Sequence, residues 1–121
     1  MNGVLLALLV AVAGGLGAIA RYYIDTSFPE SIREKFPIGI LVVNISGSFT
    51  LGLVTGSATH LGVWATILGV GFLGGYTTFS TASLDTVTML MERRVAPALV
   101  NSVGMAILCV IAAILGIAIT S

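Results

Sequence analysis

The sequence predicts an all-α membrane protein with four transmembrane helices, the third broken near the middle of the membrane. Of the 121 residues, 57% are hydrophobic and 8% are charged, whereas about a quarter of an ordinary soluble domain is charged. A spanning helix needs about 20 apolar residues, so four spans with short connections fill residues 1–121 as a single domain. A glycine pair followed by many hydroxyl residues predicts the break.

The first two apolar runs predict uninterrupted helices. The first span covers about residues 4–23, and residues 25–36 form a charged loop. Pro37 then opens the second span, because proline is favoured at the first position of a helix. That span continues to about Ala58. Its Gly52-x-x-x-Gly56 pattern is typical of close packing between membrane helices.

The third run begins near Trp64, is interrupted at Gly74-Gly75 and resumes to about Met91; the fourth covers about residues 97–119. Hydrocarbon tolerates irregular backbone only where protein buries it or a polar cavity wets it. The glycine pair is followed by a group of hydroxyl residues: Thr77, Thr78, Ser80, Thr81 and Ser83. The alternative is a glycine kink whose hydroxyls bond back to the helix. So many hydroxyls beside two glycines favour an ion pathway.

The basic residues are distributed unevenly. All five lie on the side of the first and third loops: Arg21, Arg33, Lys35, Arg93 and Arg94. The positive-inside rule therefore predicts that both termini lie outside the cytoplasm and that the chain inserts in one orientation. The net charge is zero without a basic stretch, which argues against a nucleic-acid partner.

Four residues within the spans carry candidate chemistry. Asn44 places a primary amide in hydrocarbon, where its polar groups need partners; helix–helix contact and anion donation are equally good interpretations. Phe79 fits lipid or helix packing by default, but its electropositive ring edge can also favour an anion. Arg21 can reach the interface and set the field of a vestibule. Asp85, about two turns beyond the break, could pair with a cation.

Enzyme activity is not predicted. The chain has one cysteine and one histidine, Cys109 and His60, which cannot form an internal disulfide or a zinc site. It shows no catalytic set and no phosphate-binding loop. The first span lacks a carboxylate, and a proton-driven exporter needs a titrating group within the membrane.

Three segments of the sequence resemble the Fluc/CrcB family of small fluoride channels, over nearly the whole chain. They are Gly14-Gly15-Leu16-Gly17-Ala18-x-x-Arg21-Tyr22, Gly39-Ile40-Leu41-Val42-Val43-Asn44-x-x-Gly47 and Gly74-Gly75-Tyr76-Thr77-Thr78-Phe79-Ser80-Thr81. The resemblance implies a multi-pass protein of the cell membrane, through which fluoride leaves the cytoplasm passively.

The resemblance also implies an antiparallel dimer of four-helix subunits with two pores at the interface. A structural sodium ion, which is not transported, would be held by the backbone carbonyls of Gly74 and Thr77. Arg21 would lie at the vestibule. The pore would be lined by Asn44, Phe79, Ser80, Thr81 and Ser83.

Two positions differ from the family pattern. Ala82 stands where the family usually has a second phenylalanine, and Ile40 stands where it usually has a threonine. A chain that inserts in one orientation cannot supply its own inverted partner. The expected assembly is therefore a heterodimer with a homologous chain of opposite topology, which supplies the missing pore residues; a homodimer is the weaker alternative.

Two other functions fit part of the sequence. A small multidrug exporter has a similar length and number of spans, but it needs an acidic residue in the first span. A non-conducting membrane assembly subunit would explain the small residues but not Phe79 among hydroxyls.

Overall fold

Residues 2–121, which the computed structural model describes, contain helices and no strand. The helices are α1 (Gly3–Ser27), α2 (Glu30–Lys35), α3 (Ile38–Gly56), α4 (Ala58–Leu61), α5 (63–76), α6 (Ser80–Met91) and α7 (Val95–Thr120). By length and composition, α1, α3 and α7 are able to cross a membrane. They correspond to the first, second and fourth predicted spans. The third predicted span is divided between α5 and α6.

The interruption in this third segment lies at residues 77–79, not at the glycine pair. Gly74 is helical, with φ −62° and ψ −38°, and the helix continues to Tyr76. Thr77 then adopts an extended conformation, with φ −80° and ψ 157°. The prediction of a break at Gly74-Gly75 was therefore wrong in position. Gly75 serves another purpose, because a Cβ there would overlap the backbone of Gly14 in α1.

The charged segment at 25–36 is more helical than predicted. Helix α1 continues to Ser27, and α2 follows after Pro29. Helix α2 has Glu30 in its first turn and basic residues in its last turn. This arrangement complements the helix dipole and stabilises a short helix. The Nε atom of Arg33 also donates to the Phe28 carbonyl at 3.1 Å.

Glycines bring two pairs of helices into backbone contact, and we call these contacts the glycine seams. The first joins α1 to α5, where a Cβ on Gly17 or Gly75 would overlap the opposing backbone. The second joins α3 to α7, the most extensive contact between two helices, where Gly52 and Gly116 face each other's backbone. Gly56 lies against Thr120 in the same seam. The Gly52-x-x-x-Gly56 pattern thus packs helices, as predicted.

Two helices contain widened π-type turns, Ile67–Leu73 in α5 and Val100–Gly104 in α7. Such turns frequently occur at functional sites. The second one carries Asn101, which is 1% exposed. The first turn lies in α5, which ends at the break, and the second lies in α7, which contacts α6.

Candidate functional site

The side-chain amide of Asn44 makes two hydrogen bonds to the main chain of Thr78. The Thr78 backbone N–H donates to Asn44 Oδ1 at 2.8 Å, and Asn44 Nδ2 donates to the Thr78 carbonyl at 2.8 Å. Asn44 is only 6% exposed, and its Nδ2 also lies 3.2 Å from the sulfur of Met105. A side-chain amide on α3, 34 residues away in sequence, thus replaces the hydrogen-bond partners that Thr78 would have in a continuous helix.

The carbonyls of Gly74 and Thr77 are among those that lose their helical partners at the break. In a continuous helix the Gly74 carbonyl would accept from the Thr78 N–H, which instead donates to Asn44. The Thr77 carbonyl would accept from the Thr81 N–H, which instead donates to the Thr78 hydroxyl at 3.1 Å. The oxygens of Gly74 and Thr77 are therefore released together from the helical pattern.

The residues before Thr78 also contact α3 directly. The hydroxyls of Ser46 and Tyr76 lie 2.9 Å apart. Gly47 faces the side chain of Thr77 so closely that a Cβ would overlap its methyl group. Helix α3 therefore contacts three consecutive residues of the chain, from Tyr76 to Thr78.

Arg21 lies beside the break and not at the end of its helix. Its Nη1 atom is 3.5 Å from the Thr77 carbonyl oxygen, and the side chain is half-buried. The helix continues for six more residues, to Ser27. A guanidinium in this position places a positive charge next to the interruption in the third segment.

A cavity of about 620 Å³ opens between the break, α3 and α7. Of the residues predicted to be functional, it is lined by Asn44, Gly74, Thr77, Phe79 and Ser83. Ser80 and Thr81 lie outside its lining; Ser80 is exposed and Thr81 is half-buried. The ring of Phe79 projects from the subunit, with 87% of the residue exposed.

Asn101 also lines the cavity, although sequence reasoning gave it no role. Its Nδ2 donates to the Ala82 carbonyl at 3.0 Å and to the Thr86 hydroxyl at 2.9 Å. Within the described residues its buried Oδ1 atom has no hydrogen-bond partner. The signal that could have indicated it is a primary amide in an otherwise apolar helix, the same signal that singled out Asn44.

Comparison with known proteins places this architecture in a family. A family model described as "CrcB-like protein, Camphor Resistance (CrcB)" matches residues 8–117. The chain belongs to the CrcB family. It is 47% identical over 116 residues to "Fluoride-specific ion channel FluC 1" of Leifsonia xyli, with 93% of this chain and 85% of the relative covered. It is 46% identical over 120 residues to "Fluoride-specific ion channel FluC 2" of Cutibacterium acnes, covering 94% of this chain and 96% of the relative.

The two positions at which this CrcB chain differs from the expected pattern contact the same cluster. Ile40 and Ala82 are buried together with Met105, and Cys109 packs against them. Compared with the expected family pattern, a larger residue on α3, Ile40, thus lies beside a smaller residue on α6, Ala82. The Ala82 carbonyl also accepts from Asn101 Nδ2 at 3.0 Å.

The first and third loops of the CrcB chain meet at one end of the subunit. A small crevice of about 100 Å³ is lined by Arg33 and Lys35 from the first loop region and by Glu92 and Arg94 from the third. Arg94 donates to the Lys35 carbonyl. Asp85 lines this crevice and not the cavity at the break.

Proposed function

We propose that the chain is a subunit of a fluoride-selective channel that lets fluoride leave the cytoplasm passively. The observation that carries this proposal is a cavity at an interruption of an apolar helical segment, with amide and hydroxyl side chains in an otherwise largely apolar lining. Irregular backbone is tolerated at membrane depth only when it is buried or lines such a cavity. The names of the CrcB relatives supply the identity of the ion. The protein is a channel and not an enzyme.

The proposed pore is lined by neutral hydrogen-bond donors and one aromatic ring: Asn44, Phe79, Ser80, Thr81 and Ser83. Fluoride is strongly hydrated, so donors must replace its water, while a fixed positive charge in the pore would hold it too tightly to conduct. The exposed ring of Phe79 is free to face an opposing subunit. Arg21 would attract anions to the vestibule from its position beside Thr77.

We also propose that the carbonyls of Gly74 and Thr77 hold a structural sodium ion. The fit is favourable because both oxygens lose their helical N–H partners, and unwound carbonyls are typical sodium ligands in membrane proteins. Bound between subunits, the cation would join the two interruptions. The half-buried guanidinium of Arg21, 3.5 Å from the Thr77 oxygen, would reduce sodium affinity at that ligand.

The proposed assembly is an antiparallel dimer of four-span subunits, with this chain's termini outside the cytoplasm. The crevice between the first and third loops supports the proposed orientation, because it brings three of the five basic residues, Arg33, Lys35 and Arg94, together at one end of the subunit. One fixed orientation requires a homologous partner of opposite topology. A homodimer would require the chain to insert both ways.

Reconstitution into liposomes tests the function. The chain, alone and together with an inverted homologous partner, is placed in fluoride-loaded vesicles, and efflux is followed with a fluoride electrode. We expect fluoride efflux without chloride efflux, and a loss of at least tenfold in Phe79→Ile with assembly unchanged. The control is Leu8→Ile at an exposed position of α1. Absence of efflux from both preparations would contradict the proposal.

The same preparation tests the heterodimer. The chain alone should give little fluoride efflux, and adding the partner should restore it. Rapid efflux from the single chain would establish that a homodimer is sufficient and would contradict fixed orientation.

The alternative functions give different results. A non-conducting assembly subunit should be insensitive to Phe79→Ile. A small multidrug exporter should move organic cations in exchange for protons.

A further inference from the structure

We infer that Asn44 is a positioning residue that fixes the interruption of the third segment by hydrogen-bonding both the N–H and the C=O of Thr78. This inference deepens the proposed function, since it gives one proposed pore residue a specific task. The task itself concerns the fold of the subunit and holds whether or not the ion is fluoride.

The hydrogen-bonding capacity of Asn44 supports this role. A primary amide offers two donors and one carbonyl oxygen. The oxygen accepts from the Thr78 N–H, and the NH₂ group donates to the Thr78 carbonyl while lying near the Met105 sulfur. One N–H and the oxygen of Asn44 are thus used by the main chain of Thr78. Only the second N–H, which lies near the weakly accepting Met105 sulfur, is left for an anion.

The main chain at Thr78 needs such a partner. An unpaired backbone N–H or C=O in a membrane interior is strongly unfavourable, and the extended conformation of Thr77 deprives Thr78 of its helical hydrogen-bond partners. A side chain with an acceptor and a donor next to each other satisfies both the N–H and the C=O of Thr78. Leucine, of nearly the same shape, satisfies neither.

Neighbouring contacts fix the same stretch of chain. Ser46 meets the hydroxyl of Tyr76, and Gly47 lies against Thr77. Helix α3 therefore determines where the helix stops, and the carbonyls of Gly74 and Thr77 are released as a result. All of these contacts lie within one chain, so the interruption forms without a partner subunit.

Hydrogen–deuterium exchange of the purified full-length chain in lipid nanodiscs tests the inference at one amide. The Thr78 N–H should be protected in the natural protein. In Asn44→Ala its exchange should be at least tenfold faster. In Asn44→Asp, which keeps an oxygen acceptor at the same place, exchange should stay within about threefold of the natural protein. The control is Ser48→Ala, one turn along α3 and also lining the cavity, which should leave Thr78 unchanged.

Equal Thr78 exchange in Asn44→Ala and Asn44→Asp would overturn the inference, provided that the amides of the α3–α7 seam keep their protection. If Asn44→Ala does not fold, Asn44→Leu takes its place in the same comparison with Asn44→Asp. Fluoride efflux is measured separately, on liposomes that hold the chain together with its inverted homologous partner. Absence of efflux from these liposomes beside a protected Thr78 amide contradicts the proposed function alone, whereas efflux with an unprotected Thr78 amide in the natural protein contradicts the positioning role alone.

Discussion

The glycine seams and the polar contacts at the break hold helices together by different means. At the seams, backbone meets backbone because Gly52, Gly75 and Gly116 have no side chains. At the break, the amides of Asn44 and Asn101 reach across to the main chain of Thr78 and Ala82. The seams depend on shape alone, whereas the polar contacts depend on matching each donor with an acceptor. The first region is therefore sensitive to added volume and the second to lost polarity.

The two amides give the sharpest test of this contrast. Asn44→Leu strands the N–H and the carbonyl of Thr78, at about 1–3 kcal/mol for each buried group. Asn101→Leu removes an unpartnered Oδ1, and the Ala82 carbonyl still accepts from the Thr86 hydroxyl at 2.9 Å. We expect a free energy of unfolding lower by about 2–5 kcal/mol in the first variant and by less than about 1 kcal/mol in the second.

The measurement is reversible unfolding in mixed detergent, followed by the fluorescence of Trp64, the single tryptophan. Similar losses in both variants would show that the main-chain partners do not distinguish the two amides.

Added volume at a seam should have the next largest effect. Gly17→Ala places a methyl group against the backbone of α5 at Phe72, whereas Gly15→Ala, on the same helix, meets nothing within 4 Å. Overpacking costs about 1–3 kcal/mol, but alanine at an open helical site is about 1 kcal/mol better than glycine. We therefore expect Gly17→Ala to lower the free energy of unfolding and Gly15→Ala to raise it. Destabilisation by both substitutions would mean that α1 does not tolerate alanine for a reason other than contact with α5.

The cluster of Ile40, Ala82 and Met105 offers a test of paired volumes. Ala82 is buried beside Ile40 and Met105 at the edge of the cavity. Ala82→Phe should destabilise the subunit by about 1–3 kcal/mol, because part of the added ring would press against these two side chains. Adding Ile40→Thr should recover part of this loss, with a coupling of about 0.5–3 kcal/mol in a double-mutant cycle. If the changes in unfolding free energy of the two single variants simply add in the double variant, the two positions are energetically independent.

The smallest expected effect concerns the start of α6. Thr78→Val keeps the shape of the side chain but removes the hydroxyl that accepts from the Thr81 N–H. Loss of such a cap costs about 1 kcal/mol. The matched substitution Thr88→Val, at an exposed position within α6, should change the free energy of unfolding by a few tenths of a kcal/mol. A larger loss of unfolding free energy in Thr88→Val than in Thr78→Val would contradict a capping role for Thr78.

The sequence predicted the long apolar helices well. A helix that spans a bilayer needs a continuous run of about 20 apolar residues, and such a run is recognised from neighbouring residues alone. The position of the break was not visible locally. Gly74-Gly75 indicated flexibility, but glycine is used equally where two backbones meet, and Gly75 meets Gly14. What stops the helix is Asn44, distant in sequence. The roles proposed for Phe79, Ser80, Thr81 and Ser83 stay predictions, since they depend on an opposing subunit.

Each widened turn accommodates more chain than an ordinary helical turn does over the same stretch. Removing one residue from Val100–Gly104 would therefore restore ordinary spacing and leave the rest of α7 facing its present neighbours. The residues inside the turn, Asn101 among them, are the ones whose direction would change. A single-codon deletion elsewhere in α7 would be more damaging, because every side chain on one side of it would rotate by about 100° around the helix axis.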